Sequence, residues 1–271
     1  MALSGATIQP KITLDPGGST SYANTAVEVG VVKSLTPSSS TTVVTETGIG
    51  GISKKRLSAQ EFNFGWEGLI TNRDVLNAGL ALDSNLPLTL EIQMHTEKLT
   101  GAKVQSMSIS GSEGEALRYS LEGKFLSSST TSAPTYSLEN TFFVYSDGTI
   151  TIGGDSSMTV KSFEVTVSRN IDFVYGTSLA PTSLDVGSTT VSGSVEIEAD
   201  SFADAMDGAV AADAVDFDIT LSFTNPITSE TMLITLGDCQ FSSAEGSVDP
   251  DSSLIVTKSF NADTITVAAV A

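Results

Sequence analysis

The sequence predicts an all-β protein built from antiparallel strands, and three observations predict it. Apolar residues recur at every second position over most of the chain, clusters of Gly, Ser and Thr separate the runs, and two short stretches alone carry a helical grammar. With 271 residues, 40% of them hydrophobic, the chain suffices for one large or two modest domains with a substantial core.

Residues 1–35 read as an irregular N-terminal arm, with "DPGGST" at Asp15–Thr20 marking a turn. A first β domain is expected over residues 36–126. In it, "EFNFGWEGLI" places Phe62, Phe64 and Trp66 on one face, and "LPLTLEIQM" aligns Leu88, Leu90, Ile92 and Met94. "AKVQSMSIS" carries Val104 in one phase and Met107 with Ile109 in the other, which predicts a bulge or kink between them. "EALRYSLEGKF" groups Leu117, Tyr119, Leu121 and Gly123. Residues 127–158 are expected as a linker with a β-hairpin at Asp147-Gly148, because a tight primed turn requires positive φ.

A second β domain is expected over residues 159–271. Its first strand, "KSFEVTVSRNIDFVYG", turns Phe163, Val165 and Val167 one way and Ser162, Glu164, Thr166 and Ser168 the other. "TVSGSVEIEA", "VDFDITLSF", "TMLITLGDCQF" and "SLIVTKSF" follow as further strands.

The helical stretches are "TNRDVLNAG" at Thr71–Gly79 and "SFADAMDG" at Ser201–Gly208. Each offers a hydroxyl as N-cap (Thr71, Ser201), an acid three residues on (Asp74, Asp204) and a glycine to close (Gly79, Gly208). Each is flanked by alternating strands, so the pattern predicts an internal duplication. With the caps superimposed, the preceding strands disagree in phase by one residue, and a bulge or a loop-length difference must intervene.

Charge and motifs exclude several function classes. A net charge of −19, from 32 acids against 13 bases, opposes duplex binding, which needs clustered cations to displace counterions. The acidity suits either high salt or simple solubility. Lys54, Lys55 and Arg56 form a short basic cluster, either a solvated loop or a docking point for an acidic partner. "GIGG" at Gly48–Gly51 lacks the strand and helix of a phosphate loop. The lone Cys239 excludes an internal disulfide, sits in an apolar run as a buried thiol, and lies far in sequence from the single histidine, His95. Asp200, Asp204, Asp207, Asp213, Asp216 and Asp218 crowd one region without calcium-loop spacing, so a solvated acidic face and no metal are expected. No carboxylate pair is marked for glycoside cleavage, and neither an enzyme nor a cofactor is expected. No apolar run is long enough for a membrane helix, and the N-terminus lacks the pattern of a signal peptide. An extracellular adhesion or carbohydrate-binding β-sandwich, the alternative from another class, would bring a secretion signal and clustered exposed aromatics; neither is evident.

Four stretches, "FNFGWEGLITNRDVLNAGL", "LTGAKVQSMSISGSEGEALRYSLEGKFL", "VKSFEVTVSRNIDFVYG" and "TVSGSVEIEADSFADAM", together resemble the tail tube (major tail) proteins of long-tailed bacterial and archaeal viruses. Gly101, Val104, Met107 and Ile109 stand for one strand pattern of that family, and Phe163, Val165, Val167 and Asn170 for another. The resemblance implies a tail-tube-type antiparallel β-sandwich or partial barrel with a short flanking helix, duplicated in tandem and assembling into a continuous β-barrel ring. Three duplicated chains would make a pseudo-hexameric ring; without duplication six chains would be needed. Stacked rings would give passage to double-stranded DNA, with tape measure, baseplate and tail terminator proteins as further partners, no membrane, and assembly in the host cytoplasm. A baseplate or connector protein forming a single ring is the alternative within the same lineage. On this reading Glu164, Glu196 and Glu198 are expected to line the lumen, and Lys54, Lys55 and Arg56 to contact the next ring. Phe64 and Trp66 are expected in the core.

Overall fold

The computed structural model describes residues 10–14, 26–28, 32–47, 53–80, 90–94, 97–130, 132, 141–154, 156, 159–199, 216–247 and 254–268. Alternation becomes strand almost throughout. The first half runs β1 (Pro10–Leu14), β2 (Ala26–Glu28), β3 (Val32–Leu35), β4 (Ser38–Thr47), β5 (Ser53–Leu69), α1 (Arg73–Leu80), β6 (Leu90–Met94), β7 (Glu97–Ser112), β8 (Arg118–Lys124) and β9 (Ser127–Thr130). The second half runs β10 (Gly148–Ile152), β11 (Thr159–Tyr175), β12 (Pro181–Ala199), β13 (Phe217–Thr224), β14 (Thr231–Ser247), β15 (Leu254–Ala262) and β16 (Thr264–Ala268).

Every pairing among the described residues is antiparallel. The central sheet has the order β5, β8, β7, β11, β12, β15, β14, with β3 and β4 successively along the outer side of β5. Two smaller sheets branch from it where β7 and β14 bend: β2, β1, β6, β7, β9 at one place and β10, β13, β14, β16 at the other. Among the described residues the sheet is open rather than closed on itself.

One face of the central sheet is the core. Trp66, Leu121, Met107, Val167 and Val191 follow one another across five strands, all buried. The smaller sheet of the second half lies over this face, where the rings of Phe163 on β11 and Phe223 on β13 are 6.1 Å apart. Phe64 and Trp66 stack within the core at 5.6 Å, and the Trp66 Nε1–H donates to the Tyr119 hydroxyl at 3.1 Å. That bond satisfies the buried indole.

The two halves repeat each other ladder by ladder. In β7–β8 the pairs Lys103·Lys124 and Val104·Gly123 precede a bulge, then Ser106·Glu122 and Met107·Leu121. In β14–β15 the pairs Gln240·Asn261 and Phe241·Phe260 precede the same bulge, then Ser243·Ser259 and Ala244·Lys258. The offset is 137 residues on both strands, as from Lys103 to Gln240. It also carries the left-handed Gly101 (φ 64°) onto the left-handed Asp238 (φ 54°). The pairings β6–β7, β7–β9, β5–β8 and β4–β5 recur as β13–β14, β14–β16, β12–β15 and β11–β12. On β5 and β12 the offset is 129, as from Asn63 to Ser192, which accounts for the one-residue disagreement seen when the helix caps are superimposed. Strands β3 and β4 together answer to the single strand β11 at an offset of 128, as from Ser38 to Thr166.

Several expectations change. Within the expected irregular arm, β1 pairs with β2 and β6, and β3 with β5. Of the bulge or kink expected in β7, it is a bulge that is present, between Val104 and Ser106. The hairpin at Asp147-Gly148 is not: Tyr145–Asp147 form a 3-10 turn and Gly148 is extended (φ −126°), opening β10. Glycine serves there because a Cβ would collide with the Phe223 ring. In α1 the cap is Asn72, whose Oδ1 accepts the Val75 N–H at 3.0 Å, whereas Thr71 is buried with its hydroxyl unpartnered. Gly79 lies inside the helix, and the guanidinium of Arg169 on β11 donates to the terminal Leu80 carbonyl. The second half therefore grips α1 at both ends, since the Arg73 N–H donates to Glu230 at 3.3 Å. An acid at the start and a cation at the end both suit the helix dipole. The expected helix Ser201–Gly208, the "GIGG" loop and His95 lie outside the described residues.

Candidate functional site: a polar sheet face with open edges

The second face of the central sheet is polar from side to side. One row reads Glu67, Ser120, Ser108, Thr166, Ser192, Asn261, Gln240 across seven strands. The next reads Arg118, Ser110, Glu164, Ser194, Ser259, Ser243. A third reads Ser112, Ser162, Glu196, Thr257, Glu245. Such strict alternation over so wide a sheet requires solvent along one whole face. The short hydroxyls tie neighbours together, Ser108 to Ser120 and Ser168 to Thr190 each at 2.8 Å.

The three acids singled out in the sequence share this face. Glu164 is exposed between Ser110 and Ser194. Glu196 is half-buried and accepts the Ser162 hydroxyl at 2.5 Å. Glu198 is ion-paired, 3.0 Å from the Lys161 ammonium, which also reaches Glu113 at 3.2 Å. These contacts, Glu198 first, push the Lys161 pKa up. The acids thus differ: Glu164 presents an open charge, and Glu198 a balanced one.

The basic cluster lies on β5 where it pairs with the end of β4. Lys54 pairs in register with Glu46, Lys55 with Thr45 and Arg56 with Val44. Arg56 is exposed, and so are Val43, Val44 and Leu57, at 51%, 41% and 49%. Val43 and Leu57 pair across the hairpin and expose an apolar couple on one face, while Val44 lies with Arg56 on the other.

Two strand edges of the central sheet carry no pairing among the described residues. At one end, β3 and β4 pair only with β5. At the other, the half of β14 from Gln240 to Ser247 pairs only with β15. Alternation made the polar face legible in the sequence, but nothing there announced these edges, because only pairing defines an edge.

Little chemistry accompanies this surface. Cys239 is buried, and its thiol is pushed up to about 11, chiefly by burial. Among the described residues no three His, Cys, Asp or Glu side chains stand together as metal ligands, and no helix is long and apolar enough to cross a membrane. A groove of about 230 Å³ beside Tyr145, Thr149 and Val160 holds no acid or base cluster among the described residues. The Tyr145 hydroxyl there donates to the Val160 carbonyl at 2.5 Å.

Residues 13–266 match the family described as phage tail tube protein. No curated protein matches the chain.

Proposed function

Because the chain belongs to the phage tail tube protein family, a structural component of the virion tail, we propose that it is the tube subunit itself. Its copies oligomerise into rings, and stacked rings form the hollow conduit for viral DNA delivery. The observation that carries this reading is the central sheet, apolar and covered on one face, polar across its whole width on the other. A sheet of that kind is finished by neighbours that continue it around a water-filled hole.

Counting β3 and β4 as one, each chain contributes eight strands to the wall. At ~4.8 Å spacing and ~40° tilt these span roughly 50 Å of circumference, so three chains close a circle roughly 50 Å across. Six repeats around that circle make a pseudo-hexameric ring wide enough for a double helix. The polar face forms the lumen, because the core face is already occupied by the smaller sheets. Glu164 and Glu196 then repel phosphate, and DNA slides instead of sticking. Tape measure, baseplate and tail terminator proteins meet the ends of such a tube, and assembly takes place in the host cytoplasm.

Electron microscopy of the purified protein tests the reading. Long tubes with a regular axial repeat are expected. Single rings that never stack would indicate a connector or baseplate role, and monodisperse monomers at high concentration would end the proposal.

A further inference from the structure

The joint between the two halves of one chain is a template for a joint between two chains. Inside the chain, β7 of the first half pairs with β11 of the second: Ser106·Ser168, Ser108·Thr166 and Ser110·Glu164. The second-half strand equivalent to β7 is β14, and its matching edge is open. The first-half strand equivalent to β11 is the pair β3 and β4, and its matching edge is open too. Among the described residues each chain therefore carries one filled joint and the two unfilled halves of another.

Resting on the tube reading above, we propose that β14 of one chain pairs antiparallel with β3 and β4 of a second copy, in the register Ser243·Ser40, Glu245·Ser38 and Ser247·Thr36. The register follows from carrying the internal ladder forward on β7 and back on β11 by the offsets that relate the repeats.

Two independent features agree with it. The first is exposure. Val43 occupies the position of Ile171, which is fully buried at the internal joint, yet Val43 is 51% exposed in the single chain. A neighbour seated like the first half covers it. The second is charge. At the internal joint the β11–β12 hairpin carries Asp172 and Asp185, and Asp185 acts electrostatically on Lys103 of β7. At the open joint the hairpin changes sign, and a neutral residue beside an acid replaces the lysine. Arg56 takes the place of Asp185, and Gln240, which takes the place of Lys103, holds Asp216 at 2.7 Å. An acidic hairpin on a basic edge inside the chain thus becomes a basic hairpin on an acidic edge between chains. Complementarity of this kind selects the head-to-tail partner and steers it. It assigns Lys54, Lys55 and Arg56 to the contact within a ring, with Arg56 meeting Asp216 of the next copy.

One difference limits promiscuous pairing. Thr36 N–H donates inward to the Gly65 carbonyl at 2.8 Å, so the following residue, Pro37, turns its nitrogen to the open edge. The intermolecular ladder has one bond fewer than the internal one there. Proline on an exposed edge is a recognised guard against indiscriminate strand addition.

Cysteine cross-linking tests the register. Ser38 and Glu245 face each other without exchanging ladder bonds, the geometry in which Cβ atoms approach closely enough for a disulfide. A chain carrying Ser38→Cys and Glu245→Cys, oxidised after assembly, is expected to give reducible multimers ending at a covalently closed trimer. Ser39→Cys with Glu245→Cys places the thiols on opposite faces of the sheet and is expected to give none. As a second measurement, Arg56→Glu or Asp216→Lys alone is expected to abolish assembly, and Arg56→Glu with Asp216→Lys to restore it. Tubes that form normally while the first pair fails to cross-link, or while the slipped pair links as well, would overturn this joint and leave the tube reading standing. A wild-type protein that forms no ring at any concentration would remove both.

Discussion

Arg169 offers a sharp test of how the two halves are held together. Its side chain is 8% exposed, it donates to the Leu80 carbonyl at the end of α1, and its Nε donates to Thr189 Oγ1 at 3.1 Å. Arg169→Met keeps most of the stem's packing and removes both donors. The Leu80 carbonyl then loses a charge-assisted bond, worth about 1.5–3 kcal/mol, in a place where water cannot replace it. The exposed Thr189 hydroxyl is resolvated at almost no cost. Removing a buried guanidinium returns part of its desolvation cost, so the net loss is about 1–2 kcal/mol. For a chain of this size that lowers the melting temperature by roughly 2–8 °C. Urea unfolding of the unassembled protein is the assay, and a lower midpoint at unchanged slope is the expected result. Arg169→Lys, a cation without the planar fork, should recover less than half of the loss. A change below about 0.3 kcal/mol for Arg169→Met would refute the view that this contact clamps the helix across the internal joint.

Other outcomes follow from the same geometry. The Tyr145 pKa is pushed up to about 12, first by burial and then by Glu113, so its phenol favours folding fully below pH 10 and loses that effect as pH rises towards 12. Tyr145→Phe should flatten the fall in urea midpoint between those pH values, and an unchanged fall would assign it to other groups. Gly193 on β12 has the Glu164 carbonyl and the Phe260 ring where a Cβ would stand; Gly193→Ala should cost about 1–3 kcal/mol in urea unfolding, and a neutral result would mean the strands can part there. Replacing Glu164 and Glu196 together by Lys should leave tubes intact and make them retain duplex DNA in a salt-dependent way, measured by co-sedimentation. Retention by the unaltered protein, or none by the variant, would place these side chains away from the lumen.

The strands were legible because alternation at period two is a local signal. Phe163, Val165 and Val167 needed no tertiary information to be assigned inward, and the change of phase after Val104 marked a break that the ladder shows to be a bulge. The Asp147-Gly148 signal misled because an Asp-Gly pair serves two ends: positive φ, or room for a neighbour's ring, and here Phe223 decides. Thr71 and Asn72 competed for one cap, and burial of Thr71 gave it to Asn72, a choice that rests on packing against the rest of the sheet. The duplication showed in the two helix motifs, but its strand register did not. β3 and β4, interrupted at Thr36-Pro37 and rich in Ser and Thr, share no visible apolar pattern with β11. Their equivalence appears only in the ladders, and with it the open edges. The acids of the polar face were found by alternation alone, while the ion pair that balances Glu198 depends on Lys161 standing at a bulge.

The most direct measurement is a cryo-electron microscopy reconstruction of the assembled protein at a resolution that separates strands. One unbroken wall of strands around a hole is expected, six repeats from three chains, with Ser108, Thr166 and Glu164 facing inward and β14 hydrogen-bonded to β4 of the next chain. A particle whose chains touch through loops or helices, each sheet ending within its own chain, or whose hydroxyl-rich face turns outward, would contradict it.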